Sequence, residues 1–422
     1  MKTSFPKDKI RVILAEGVHA AAVDRLKDEG FAVETFAGAP SSAKLRTLLA
    51  NAHVLGIRSK TNVLAEHLAS APRLLAIGAF CIGTDQVDLR SARAHGVCVF
   101  NSPFSNTRSV AELTLAEIIA LHRRLPVKNI AMHAGTWDKS ASGAHEVRGR
   151  TLGIVGYGHI GAQVSVLAES IGMRVIFHDV VPKLALGNAR PVRTLADLLK
   201  EADVVTLHVP DEPSTRKLIT AAHLKKMKRG SILINNARGA VVDIPAVADA
   251  IKSGHLAGAA FDVFPSEPSA KDEPFESELR GLPNVLLTPH IGGSTEEAQE
   301  AIGLDVAEKL VRFINVGATT GAVNVPQVDL AEQPQLGTAG AGTTTRPHRI
   351  LYFHRNVPGV LGSVHRVIAE VGANISAEHL RTEGDLGYVI LDVDPTSGGG
   401  KSKKVLEKLR EIPETVRLRI LW

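Results

Sequence analysis

The chain has little of what would staple a small secreted domain or carry a segment through a bilayer. Only two cysteines, Cys81 and Cys98, occur in 422 residues, each embedded in apolar sequence. That pattern excludes a disulfide framework and reads as buried free thiols in a reducing compartment. No Cys/His spacing resembles a zinc site, so no metal is expected. Aromatic residues make up only 4% of the chain, and its basic residues are scattered rather than interleaved with rings. A nucleic-acid surface is therefore not expected, although the net charge is +5. The short basic run Lys401–Lys404 reads as the start of a solvated surface helix. The opening segment Met1–Lys9 is polar and no long apolar run follows it. Neither a signal peptide nor a membrane span is expected, and the protein is expected to stay in the cytoplasm. What the charge does suit is a small anionic substrate and cofactor.

Strands and helices alternate from the start. Ile10–Ala15, Ala32–Phe36, His53–Ile57, Leu74–Gly78 and Val97–Phe100 read as strands, with helical segments such as Ala20–Glu29 between them. The alternation predicts a parallel sheet with helices on both faces. An apolar helix over Arg108–Arg123 opens with Ser105-Asn106-Thr107, good N-cap chemistry, and Ser109 and Glu112 have capping-box spacing.

Next comes Gly156-Tyr-Gly158-His159-Ile160-Gly161, between a strand at Leu152–Val155 and a helix at Ile160–Ser170. Gly156 permits a tight turn, Gly158 lets the backbone approach a pyrophosphate, and Gly161 lets helix and strand pack closely. The helix N-terminus then meets the phosphates with free N–H groups. A further strand, Arg174–His178, ends in Asp179, 18 residues after Gly161. An acid there accepts from a ribose 2′-OH and repels a 2′-phosphate, which favours NAD over NADP.

Later strands at Val204–Val209, Ile232–Asn235, Ala259–Val263 and Val285–Leu287 complete a dinucleotide domain. The predicted fold is α/β: a doubly wound Rossmann NAD domain, residues 106–291, inserted in a flavodoxin-like substrate domain made of residues 1–105 and 292–330. A cleft is expected at the two crossings. Residues 331–346 are rich in Gly, Thr and Ala and read as a linker. Residues 347–422 follow a β-α-β-β-α-β order, which is ferredoxin-like α+β, with outer strand edges available to another copy.

Ligands in open parallel sheets bind beyond the carboxyl ends of the strands. Past those ends lie Asn236-Ala237-Arg238-Gly239, then Asp262 and Glu267, then His290-Ile291-Gly292-Gly293. Histidine suits proton transfer during hydride transfer at a 2-hydroxy acid, in both directions. A carboxylate beside it raises its pKa and fixes its tautomer. Arginine grips a substrate carboxylate and polarises a keto oxygen. His290 is thus the acid/base candidate, Glu267 its partner and Arg238 the orienting cation.

These motifs, with Phe80–Asp88, Phe104–Glu112 and Trp137-Asp-Lys139, resemble the D-2-hydroxyacid dehydrogenases nearly end to end. The tail resembles an ACT regulatory domain. The resemblance implies catalysis by Arg238, Glu267 and His290. It implies an NAD site lined by Gly156, Gly158, His159, Ile160, Gly161, Asp179, Asn236, Ala237, Asp262, Ile291, Gly292 and Gly293. For a substrate phosphate it implies Arg58, Asn106 and Lys139, the last from a neighbouring subunit. His354, Asn356 and Asn374 match positions that bind L-serine as an effector where two such modules pair, and a homotetramer is implied. The implied reaction is oxidation of 3-phosphoglycerate to 3-phosphohydroxypyruvate. Reduction of 2-oxoglutarate, hydroxypyruvate or glyoxylate is the enzymatic alternative, and an NAD-sensing binding protein the non-enzymatic one.

Overall fold

The computed structural model describes residues 6–268, 273–330, 348–393 and 400–421. The expected linker, residues 331–346, lies outside the described residues. The chain forms two compact units, one of residues 104–299 and one of the remainder.

In the divided unit, β1 (Arg11–Leu14), β2 (Ala32–Thr35), β3 (Val54–Ile57), β4 (Ala76–Ala79) and β5 (Cys98–Asn101) form a parallel sheet of order β2-β1-β3-β4-β5. This is the flavodoxin-like order. Alternation along the strands splits their side chains between two cores. Val12, Leu14, Val54, Ala76 and Phe100 enter one; Ile13, Leu55, Ile57, Ile77 and Val99 enter the other. Four of the five strands are apolar almost throughout because both faces are covered. Helix Glu296–Val316 lays Val306, Leu310 and Phe313 on the first core, and Ala322 bridges to Phe100 at the edge of β5.

In the continuous unit, β6 (Thr151–Val155), β7 (Arg174–His178), β8 (Arg190–Pro191), β9 (Val204–Leu207), β10 (Ser231–Asn235), β11 (Leu256–Phe261) and β12 (Val285–Leu287) are all parallel. Their order, β12-β11-β10-β9-β6-β7-β8, is doubly wound and reverses between β6 and β9. That reversal is where such sheets open a crevice for a ligand, and the glycine loop leaves β6 there. Helix Thr107–His122 forms where expected, but its start differs from the sequence reading. Asn106 is the N-cap residue and makes no side-chain cap. Ser109 Oγ instead meets Thr295 Oγ1 at 2.9 Å, and Glu112 pairs with Arg108 at 2.5 Å. Packing of the apolar face, not capping, holds this helix.

The C-terminal strands β13 (His348–Arg355), β14 (Ile375–Glu383), β15 (Leu386–Val393) and β16 (Thr415–Leu421) form an antiparallel sheet of order β14-β15-β13-β16. One face packs Ile350, Tyr352, Val389 and Leu391 against helices Val360–Glu370 and Gly400–Arg410. The other face, with Leu351, Phe353, Tyr388 and Leu421, joins the core that holds Phe313 and Ile314. Tyr388 donates to Gly317 O at 2.7 Å.

Beside that seam Arg349 grips Asp392 bidentately, with Nε–Oδ1 and Nη2–Oδ2 both at 2.7 Å and both residues buried. Removing one partner strands a buried charge. Arg349→Ala is expected to lower unfolding stability by about 3–5 kcal/mol, read as a shift of the denaturation midpoint. A shift no larger than an exposed pair gives would contradict this reading. Among the described residues no helix is long and apolar enough to cross a membrane.

Candidate active site

The sheet carries β6 straight into the glycine loop. Gly156 sits at φ +90°, and a Cβ there would meet His208 O at 2.6 Å. At Gly161 a Cβ would overlap the Gly156 carbonyl oxygen, so helix His159–Ser170 can close on the loop only without a side chain there. Around Gly158 the space is open, with nothing within 4 Å of a Cβ position, and the residue is exposed. First-turn N–H groups of a helix have no intrahelical acceptor, and Gly158 is an N-cap that offers no side chain to them. The loop is therefore shaped for a pyrophosphate.

Asp179 stands at the end of β7, as its spacing requires. Its Oδ2 accepts from Tyr157 N at 2.8 Å and its Oδ1 from Val181 N at 3.0 Å, so it ties the glycine loop to the segment after β7. Tyr157 is a filler position in the sequence motif, yet it is structural. Its ring stacks on Phe177 at 3.8 Å, and its hydroxyl donates to Ser165 and accepts from Leu186 N. Another residue that the motif does not single out is Phe104, whose ring meets that of His159 at 4.0 Å in a tilted contact beside the helix N-terminus. Ile160 lies half-buried in the same first turn.

The three catalytic candidates arrive on consecutive loops. His290 Nδ1 and Glu267 Oε2 are 2.9 Å apart, and Glu267 Oε1 accepts from Phe264 N at 3.1 Å. Asp262, just past β11 and buried, organises the loop that carries the histidine. Its Oδ1 accepts from Thr288 Oγ1 at 2.6 Å and Ile291 N at 2.8 Å, and its Oδ2 from Gly292 N at 2.7 Å. These bonds hold His290 at φ +55°, a left-handed value a non-glycine adopts only when its surroundings impose it. Arg238 comes from the turn after β10. Asn235 Nδ2 donates to its carbonyl at 3.0 Å, Asn235 Oδ1 accepts from Ala237 N, and Arg238 Nη1 donates to Ala237 O. Gly239 lets this turn press on Phe264, since a Cβ there would overlap the Phe264 backbone. The Arg238 and Glu267 loops thus abut.

The electrostatics follow from that geometry. The Glu267 hydrogen bond, aided by its charge and that of Asp262, raises His290 above the usual imidazole range despite burial and Arg238. Burial pushes Glu267 up, but hydrogen bonds from His290 and Phe264 N–H and the nearby charges outweigh it and hold the carboxylate low. A second histidine at a strand end makes the contrast. His208, past β9, is half-buried, and desolvation pushes it down to about 3, so it stays neutral. Of the two, His290 is the one whose charged form its surroundings favour.

Other expected residues are placed differently from one another. Asn236 turns its side chain inward, with Nδ2 donating to Thr114 and Glu117, leaving only its backbone at the rim. Ile291 is exposed beside His290, and Gly293 O accepts from Gln299 Nε2. Asn106 is buried against Gly293. Lys139 lies in an exposed segment. Arg58 directly follows β3, its carbonyl accepting from Gln86 Nε2 at 2.6 Å.

The effector candidates do not meet in one chain. His354 is buried at the end of β13, its Nδ1 2.8 Å from Arg355 O, and Asn356 follows, donating to Gly384 O at 3.0 Å. Asn374 precedes β14 at Ile375, which pairs with Val393 and so lies opposite His348, at the other end of the sheet. Six residues of strand separate the two sets, about 20 Å.

Residues 115–292 match the family model described as D-isomer specific 2-hydroxyacid dehydrogenase, NAD binding domain. Residues 350–417 match an AHAS small subunit-like ACT domain. The chain is 49% identical over 422 residues to D-3-phosphoglycerate dehydrogenase of Haemophilus influenzae, covering 100% of this chain and 99% of the relative. To the enzyme of that name from Escherichia coli strain K12 it is 48% identical, covering 100% of both. Among solved structures, a protein of Thermus thermophilus aligns with TM-score 0.68 and 34% identity over 74% of this chain and all of that one. D-Lactate dehydrogenase from Aquifex aeolicus, complexed with NAD and lactic acid, aligns with TM-score 0.66 and 28% identity over 75% of this chain and all of that one.

Proposed function

The chain belongs to the D-isomer specific 2-hydroxyacid dehydrogenases, and from that membership we propose that it oxidises 3-phosphoglycerate to 3-phosphohydroxypyruvate with NAD, the first step of L-serine synthesis. The chemistry rests on the 2.9 Å His290–Glu267 pair, formed between two consecutive loops with Arg238 on the loop before them. Because Glu267 holds Nδ1, the Nε2 of His290 is the nitrogen left to take the C2 hydroxyl proton. Glu267 stabilises the imidazolium that results. Arg238 binds the substrate carboxylate and polarises the oxygen that becomes the keto group. Bound NAD would supply the acceptor for the C2 hydride, and the glycine loop with the helix N-terminus at His159 would hold its pyrophosphate.

Asp179 favours the ribose diol over a 2′-phosphate. With 3-phosphoglycerate as substrate, NAD is expected to be reduced at least about 100-fold more efficiently than NADP, the discrimination available to one buried or half-buried charge clash. Equal use of both coenzymes would remove the role given to Asp179.

The ACT domain makes this a dehydrogenase with a regulatory module, and L-serine is the effector we assign to it. Its site needs two copies, so that His354 and Asn356 of one module meet Asn374 of the next. A second self-pairing surface is helix Leu125–His133 and the segment after it, where Leu125, Ile130, Met132 and Trp137 are exposed. Two such surfaces together close as a homotetramer. That segment also carries Lys139, which we assign to the substrate phosphate of a neighbouring copy. The expected cytoplasmic location belongs with the same biosynthetic role.

A further inference from the structure

Glu117 is 3% exposed on helix Thr107–His122, and nothing in the chemistry above uses it. Asn236 Nδ2 donates to Glu117 Oε2 at 2.7 Å and to Thr114 Oγ1 at 3.0 Å, and Thr114 donates onward to Val110 O at 2.8 Å. Glu117 Oε1 and Asn236 Oδ1 are left buried without a hydrogen-bond partner. An ionised carboxylate would make both of these unpaired acceptors, on two groups already joined by one hydrogen bond. Buried polar groups without partners are costly, and a buried charge without a counterion more so.

Among the described residues no cation acts on Glu117 as a counterion. Of the groups that face Glu117, the turn after β10 brings the neutral Asn236, its own helix brings Thr114, and the residue after β11 is Asp262, a second acid. The same helix packs Ile118 and Leu121 into an apolar cluster with Val164, Ile234 and Leu286.

We propose that Glu117 is a carboxylic acid whose Oε1 proton is donated to Asn236 Oδ1, and that this acid–amide ring positions the Arg238 turn. One proton then satisfies both orphaned atoms. Asn236 lies two residues before Arg238, and the adjoining Asn235 amide already holds the Arg238 carbonyl. The ring therefore anchors to the helix the turn that carries the guanidinium. Glu117 acts through Asn236 and is a positioning residue. Burial pushes its carboxyl up to about 7, against the Asn236 hydrogen bond and with the help of Asp262.

The sign of the pH effect follows. An unfolded chain releases this proton near 4.5, the folded one near 7. Between those values the folded state binds more protons, so stability falls as pH rises, and above about 7 the penalty is constant. Glu117→Gln keeps a donor and an acceptor but has no charge. Its thermal midpoint is expected to exceed the parent's by an amount that grows from about pH 5 to about pH 8. Glu117→Met, which strands the Asn236 amide, is expected to lower kcat/KM roughly tenfold, and Glu117→Gln to recover that loss.

Infrared difference spectra decide the protonation state whether or not a variant is active. The parent at about pH 5.5 should show the carbonyl band of a buried carboxylic acid, fading through neutrality and missing in Glu117→Gln. Absence of that band, or a Glu117→Gln midpoint below the parent's at both ends of the pH range, overturns the proposal. The positioning role rests on the function assigned to Arg238. If the enzyme turns over its substrate and the band is absent, this inference fails alone. If the band is present without turnover, the functional reading fails instead.

Discussion

His290→Ala should lower kcat by about 1,000-fold or more while leaving NADH affinity within a few-fold of the parent. The imidazole meets Glu267, and the loop proposed to hold the cofactor leaves a different strand, β6, so its loss is expected to remove proton transfer and little binding. The pH profile sharpens the test. Reduction of the keto acid needs the imidazolium, and Glu267 raises the pKa of His290. In that direction kcat/KM should stay high below this raised pKa and fall as pH rises through it. Oxidation needs the neutral ring and should rise over the same interval. Glu267→Gln removes the charge and should move both limbs to lower pH, with kcat down roughly 100-fold. An unmoved limb would mean another group is being titrated.

Gly161→Ala is the second large expected effect. A methyl there would overlap the Gly156 carbonyl oxygen, a backbone atom that cannot rotate away. The loop must open or the helix must shift, at about 3 kcal/mol, which is roughly 100-fold in NADH affinity. Fluorescence titration with NADH reads this directly. Unchanged affinity in a folded variant would show that the loop is not where the pyrophosphate binds. Gly158→Ala is the internal contrast, because its surroundings are open until a ligand arrives.

The catalytic loops were legible in the sequence because parallel sheets deliver their strand ends to one rim. Once β10, β11 and β12 were recognised by their apolar runs, Arg238, Glu267 and His290 had to lie near each other. The glycine motif placed the sheet reversal for the same reason. What escaped the sequence depends on contacts between distant segments. Nothing local announces that Asn106 makes no cap, or that Tyr157 anchors the loop after Asp179. Asp262 read as a cofactor residue, whereas its two oxygens brace the loop that holds His290 in a left-handed conformation. Glu117 looked like one more acid on a helix, and only the buried Asn236 amide gives it a role. The expectation that His354 and Asn374 act where two modules pair carried no geometry; strand register now puts them at opposite ends of one sheet.

The reading as a dehydrogenase of a phosphorylated substrate is tested most directly by following NADH oxidation with 3-phosphohydroxypyruvate and with unphosphorylated hydroxypyruvate, each with and without L-serine. The enzyme is expected to show much higher kcat/KM for the phosphorylated acid, by about 100-fold or more for a paired phosphate, and slower turnover when serine is added. Equal or better turnover of hydroxypyruvate, unaffected by serine, would contradict it.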